Sequence, residues 1–331
     1  MNLKKLYLLG FLFIAQLSFS QEGVSVYSDY LSDNYYLIHP SMAGASSCMK
    51  IRLTGRKQWF EQQEAPQLQT LSINSRINDR SGAGMILFND VNGYHSQKGI
   101  KLTYAHHLIF SRDEIDLNQL SFGISGVFIQ SQLDETQFRN SGNYDPIVDG
   151  TVVQKESYVN FDIGASYNYL EFFAHLTVKN AVETRRNIYT AYESNNLRKF
   201  ILSAGYTFGD AEVILWEPSI MFQSIEKTKE SSIDFNLKAY KNFEDGKIWG
   251  GLSYRRSLDG TQYFIKSIAE QKLQYISPIL GLNYKNFMFA YTYSQILGDI
   301  KYDSRGFHQI TIGLNLFCEP ERYHCNCPAI N

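Results

Sequence analysis

The stretch Val159-Asn160-Phe161-Asp162-Ile163-Gly164-Ala165-Ser166-Tyr167-Asn168-Tyr169 decides the fold class. Apolar residues occupy every second position, and polar or small residues stand between them. Successive side chains of a strand point to opposite faces, so one face suits hydrocarbon and the other suits water. Asp162 is therefore expected in a lumen, with Phe161 and Ile163 against lipid. The alternation recurs in Leu120/Phe122/Ile124, Phe200/Leu202/Ala204/Tyr206/Phe208, Ile233/Phe235/Leu237/Ala239 and Ile310/Ile312/Leu314/Leu316. Helical periodicity is almost absent. Repetition of half-polar strands is the signature of an outer-membrane β-barrel.

Composition agrees. The 331 residues include 23 Tyr and 22 Phe, an excess that suits the aromatic girdles of a barrel. Mean hydropathy is −0.27, and past the leader no long apolar run exists, which excludes a helical membrane protein. The net charge of −2, with both signs interspersed, leaves no footprint for nucleic acid. Residues 1–20 read as a cleavable export signal. Lys4 and Lys5 precede a short apolar core, and Ser18 and Ser20 stand at −3 and −1 before Gln21.

The pattern predicts an all-β, antiparallel transmembrane barrel of about fourteen strands. They fall at 50–60, 67–77, 82–90, 98–110, 118–131, 156–169, 172–178, 199–208, 212–224, 231–242, 247–256, 273–284, 287–296 and 306–317. Residues 21–49 form an N-terminal periplasmic arm or plug, 50–317 the barrel and 318–331 a periplasmic tail. Connections alternate in length, which suits long loops outside and short turns inside. Parity assigns 257–272 to an outer loop that can carry a hairpin past the membrane. Pro218 and Pro278 fall inside strands and are expected at a bulge or near a rim.

Four cysteines, Cys48, Cys318, Cys325 and Cys327, suit one or two disulfides in an oxidising envelope. Cys318 is expected to pair with Cys325 or Cys327. Nothing calls for a cofactor or metal. Asn89, Asp90 and Asn92 are too few for calcium, and Asp90 with Gly93 reads as a turn. Neighbours His106 and His107 face opposite sides of a strand. His308 reads as a packed or rim histidine. No Gly-x-Ser-x-Gly elbow is present, so catalysis is not expected.

Several segments, in order, resemble the PorP/SprF family of type IX secretion system membrane proteins. His39-Pro40-Ser41-Met42-Ala43-Gly44 resembles that family's Asn-Pro-Ala-Tyr-Ala-Gly, and Arg56-Lys57-Gln58-Trp59 its Arg-x-Gln-Trp. Pro66 leads into a strand as in the family. Gly82-Ala83-Gly84 and Asp90 to Gly93 resemble Gly-x-Gly and Asp-x-x-Gly, and Tyr104 to Leu108 resembles its Tyr-Ala-Tyr/His strand. Gly306-Phe307-His308-Gln309-Ile310 stands where Gly-Ser-His-Glu-Ile is usual. The resemblance implies a non-enzymatic outer-membrane barrel beside the type IX translocon. Its partners would be translocon components, outer-membrane lipid and large secreted proteins with a C-terminal sorting domain, gliding adhesins among them. The long polar loops 132–155, 179–198 and 257–272 offer Phe138, Tyr144, Tyr189, Tyr192, Tyr263 and Phe264 as partner-binding anchors. Alternatives are an uptake pore for small solutes and an outer-membrane lipid enzyme.

Overall fold

A computed structural model describes residues 34–58, 65–111, 116–134, 136, 153–184, 197–264, 268–297, 306–319 and 325, with backbone only over 261–271. The strands are β1 (Met49–Gln58), β2 (Gln67–Asn78), β3 (Ser81–Asn92), β4 (His95–Ile109), β5 (Asn118–Asp134), β6 (Val153–Tyr169), β7 (Phe172–Lys179), β8 (Lys199–Tyr206), β9 (Phe208–Asp210), β10 (Ile214–Ile225), β11 (Ser231–Phe243), β12 (Gly246–Phe264), β13 (Ile268–Tyr284), β14 (Phe287–Leu297) and β15 (Phe307–Leu316). They make one antiparallel ring, because β1 pairs with both β2 and β15. Met49 lies opposite Leu316, so the chain enters and leaves the barrel at one end, called here the near end.

β8 and β9 are two parts of one wall strand, which gives fourteen wall positions. β10 pairs with β8 from Ser219 onward and with β9 up to Trp216. Pro218 lies in the gap. It has no N–H for the ladder, and its loss breaks the neighbouring strand at Thr207. Pro278 likewise interrupts pairing between Ile276↔Gln295 and Ile279↔Thr292. The register is unchanged across both gaps, so each proline breaks a ladder without forming a bulge.

The expected strands appear nearly in place. The main differences lie at the far end. Strands β3 and β4 extend to a two-residue turn at Gly93-Tyr94, where 91–97 was expected to be a loop. Asp90 belongs to β3, opposite Leu68 and Gln97, and only Gly93, at φ +59°, is in the turn. β12 and β13 run on as a hairpin through 257–272. Parity survives, because a hairpin adds two strand segments and returns to the same end.

Side-chain alternation follows the pleat. Phe161 and Ile163 are exposed on the outer face, 41% and 51%, while Asp162 is 2% exposed inside. One outward row, Leu53, Leu71, Leu87, Ile100, Phe128 and Val159, is apolar across six strands. The next row toward the far end, Gly55, Gln69, Asn89, Lys98, Gln130 and Ser157, is polar or small. That change marks the upper edge of an apolar band. At the near end Phe110, Tyr169, Phe172, Tyr206, Phe243 and Tyr284 are exposed, forming an aromatic girdle.

Candidate functional site

Residues 34–48 enter the barrel rather than lying beside it. Two short 3-10 turns, Tyr35–Leu37 and Pro40–Met42, fold the segment on itself. Pro40 supplies a preset φ at the start of the second turn. Gly44, at φ +66°, redirects the chain to the wall. Tyr35, Tyr36, Ile38, His39, Ser41, Met42 and Ala43 are all buried. The arm is therefore a plug.

The wall carries a seat for it. A Cβ at Gly82 would stand 2.1 Å from the Ala43 carbonyl oxygen, and one at Gly123 would stand 2.4 Å from Pro40 C and Ser41 N. At Gly84 it would strike the Tyr36 hydroxyl. Only glycine leaves the wall flat enough for backbone to lie on backbone. The Gly-x-Gly at 82–84 thus has a steric purpose.

Hydrogen bonds then fix the plug. Asn34 Nδ2 donates to Ser72 Oγ at 3.0 Å, and Tyr36 Oη to Thr103 Oγ1 at 2.8 Å. His39 stands between two hydroxyls, with Nδ1 2.9 Å from Thr177 Oγ1 and Nε2 3.0 Å from Ser203 Oγ. A neutral imidazole has one donor and one acceptor nitrogen, and either hydroxyl can complement either role. Burial, with His175 and Lys179 nearby, holds the His39 pKa well below the usual histidine range. Burial raises the Tyr36 pKa, only partly opposed by its bond to Thr103. Ser41 meets Ser166 at 2.6 Å, Gly44 N donates to Asn74 Oδ1 at 3.1 Å, and His107 Nε2 lies 3.1 Å from the Ala43 carbonyl.

Two ion pairs line the opposite wall. Glu217 and Lys238 are fully buried, with Nζ 3.4 Å from Oε1. Tyr35 Oη from the plug donates to Glu217 Oε1 at 2.8 Å, and Tyr240 Oη to Oε2 at 3.2 Å. A buried carboxylate needs such donors, so the plug completes this cluster. Arg255 grips Asp234 with two bonds of 2.7 and 2.6 Å. Lys101 pairs with Asp162 on the other side of the lumen.

Cys48 is bonded to Cys318 across the seam between β1 and β15. This corrects the expected pairing of Cys318 within the tail. The reason is the register: Met49↔Leu316 brings the first and last residues of the wall together. Cys325 is also disulfide-bonded, and Cys327 lies outside the described residues.

The other sequence-selected residues are distributed as follows. Arg56 and Gln58 face the lumen, with the Arg56 guanidinium 3.9 Å from the Phe307 ring centroid. Pro66 accepts the Gln58 N–H at 2.9 Å just before β2. His308 faces outward, with Nδ1 on the Tyr291 hydroxyl. Trp59, Phe138, Tyr144, Tyr189 and Tyr192 lie outside the described residues. Tyr263 and Phe264 end β12, where only backbone is described. Tyr35, Gly123 and Glu217 carried no sequence signal of their own. Among the described residues no cluster of metal-ligating side chains occurs.

A family model described as "Type IX secretion system membrane protein PorP/SprF" matches residues 19–314. A search of curated proteins returns no match. Solved structures of similar shape include CdiB from Acinetobacter baumannii, with 10% identity, 81% of this chain and 59% of that chain covered, and a TM-score of 0.43. The CymD monoaromatic hydrocarbon channel gives 10% identity, 86% and 91% coverage and a TM-score of 0.47. A Pseudomonas aeruginosa FadL homologue gives 9% identity, 86% and 91% coverage and a TM-score of 0.46. The chain belongs to the PorP/SprF family of type IX secretion system membrane proteins.

Proposed function

We propose that this PorP/SprF protein is a non-enzymatic outer-membrane barrel that assists export or surface attachment of large secreted proteins through their C-terminal sorting domain. Gliding adhesins are among the cargo it suits. Residues 1–20 are removed on export, both chain ends of the barrel lie in the periplasm, and the long connections face outward. The observation that carries the reading is the filled lumen. A small-solute pore needs an open path, and here buried plug residues hydrogen-bond to six different wall strands. A closed barrel acts through its rims and loops, where a protein partner can dock.

The long loops supply that surface, with Phe138, Tyr144, Tyr189, Tyr192, Tyr263 and Phe264 as anchors. The experiment is purification from the native membrane, beside variants with 132–155 or 179–198 shortened. The expected result is co-purification of type IX components and one large surface protein, with display of that protein reduced by shortening while barrel assembly persists. Unchanged secretion together with a fall in small-solute uptake would establish the pore reading instead.

A further inference from the structure

On the outer face of the seam, a polar cluster stands directly above the apolar band. Three rows cross β15, β1 and β2 there. The lowest is Ile312, Leu53 and Leu71, wholly apolar. The next is Ile310, Gly55 and Gln69, and the third is His308, Lys57 and Gln67. Each row stands two residues, about 6.7 Å along the strand, beyond the one before. The surface therefore passes from hydrocarbon through an amide level to a cationic level within about 13 Å.

The third row is braced from β14. His308 pairs with Tyr293, and Ile310 with Tyr291. The His308 ring meets both tyrosine rings, with centroids 6.0 Å from Tyr291 and 5.1 Å from Tyr293. Its Nδ1 is 2.5 Å from the Tyr291 hydroxyl, and the Tyr293 hydroxyl donates to Gln295 Oε1. With the Tyr291 hydroxyl donating, the ring proton stands on Nε2, from which a ligand can accept it. Lys57, directly across the seam from His308, adds an ammonium. Facing residues of an antiparallel pair have Cβ atoms about 4.5–5.5 Å apart, so one anionic group can meet both. Among the described residues, the outward positions of β14, β15, β1 and β2 above the band carry no carboxylate. Beside the pair, Gly55 leaves a notch, where an added Cβ would have nothing within 4 Å.

We propose that this surface seats one phosphorylated glycolipid of the outer leaflet, of the lipid A class. Its acyl chains lie along Ile312, Leu53 and Leu71. Its sugar fills the notch at Gly55 beside Gln69, and its phosphate rests on Lys57 and His308. The three rows stand in the same order as the three parts of such a lipid. Charge complementarity selects the phosphate, because hydrogen bonds from a charged donor to an oxyanion are the strong ones. A zwitterionic headgroup would bring its own ammonium against Lys57, and a simple phospholipid has no sugar for the notch. The lowest row belongs to the lipid-facing band, where Leu53 is 54% exposed, so an occupant of all three rows is itself part of the membrane. The inference rests on the far end facing the cell surface and is independent of the cargo. A cysteine placed within 132–155 and labelled on intact cells tests that orientation by itself.

The test uses the mature barrel in detergent, read by native mass spectrometry. The probes are monophosphoryl lipid A, the same lipid without its phosphate, phosphatidylethanolamine and inorganic phosphate, each added separately. The expected result is retention of phosphorylated lipid A, with the other two lipids held about tenfold more weakly. Lys57→Gln combined with His308→Gln should weaken retention of lipid A about tenfold. Gly55→Leu, which fills the notch and leaves the cationic pair in place, should weaken it similarly. Lys98→Gln, which removes an outward cation on β4 away from the seam, should change nothing. Equal retention of the three lipids, or retention unchanged in the seam variants, overturns the proposal. Displacement of the lipid by inorganic phosphate identifies a free-phosphate site and overturns it too. An added Cβ at Gly55 meets no neighbour, so Gly55→Leu decides the matter if the double variant fails to assemble.

Discussion

Gly123→Ala should open the barrel without harming its wall. The added methyl would stand 2.4 Å from Pro40 C and Ser41 N and 2.5 Å from the Pro40 carbonyl oxygen. All three are backbone atoms, and a methyl has no rotamer by which to escape. Either the plug backbone or the wall must move. Forcing one methyl into a packed interface costs about 1–3 kcal/mol. The wall is held by ladders to β4 and β6 on both sides, so the plug is the part that yields. At 1.4 kcal/mol per factor of ten, plug release becomes roughly 5- to 150-fold more frequent. Conductance of single barrels in a planar bilayer reads this directly. The control is Gly126→Ala on the outward face of the same strand, where the nearest neighbour of a new Cβ is a Phe161 ring carbon at 4.0 Å. Equal open time in the two variants would refute the seating of Pro40 against β5.

Three further outcomes follow from the same geometry. Phe161→Arg, one row in from the edge of the apolar band, should impair barrel assembly at a cost between the about 2–4 kcal/mol of mid-membrane and the about 0–1 kcal/mol of the interface, while Asp162→Asn should be tolerated better; equal tolerance would refute the register. His39 is buried with its pKa depressed, so release of the plug takes up a proton below the ordinary histidine value of about 6.5. Its contribution to closure is therefore complete above that pH and weakens on acidification, by up to about 1.4 kcal/mol per pH unit. Open time should rise from pH 7.5 to pH 5, and His39→Gln should flatten that slope; identical slopes would count against the assignment. Removing the seam disulfide by Cys48→Ser should leave assembly intact, since β1 and β15 pair along their whole length. Closing a loop of 270 residues contributes on the order of 5 kcal/mol in the chain-entropy picture, so the heat-induced gel shift should move to lower temperature. No change in that temperature would dismiss the staple.

The wall was legible in the sequence because period-two alternation is written directly into residues such as Phe161, Asp162 and Ile163. The lumen was less so. Ser166 reads as facing water, yet it faces the plug and is buried, as are Ser72, Thr103 and Thr177. A hydroxyl satisfied by water and one satisfied by protein have the same letter. The plug itself has no period, because its residues meet several different strands through turns rather than one regular face. Gly82 and Gly84 stood out as a motif, but their reason is the backbone that rests on them. The seam disulfide was missed because the pairing of Cys48 with Cys318 depends on ring closure, which nearness in the tail cannot reveal.

The bridge between Cys48 and Cys318 also sets the path of mechanical load. The end of the plug and the start of the tail that follows β15 meet at one covalent point. Tension applied between Cys48 and the tail passes through the sulfur bridge and does not load the seam ladder. Without it, the same tension would shear the hydrogen bonds of β1 against β15 along their length. With it, the first and last strands cannot be peeled apart from that end. An assembly that pulls on this protein from the near end would find a fixed anchor there.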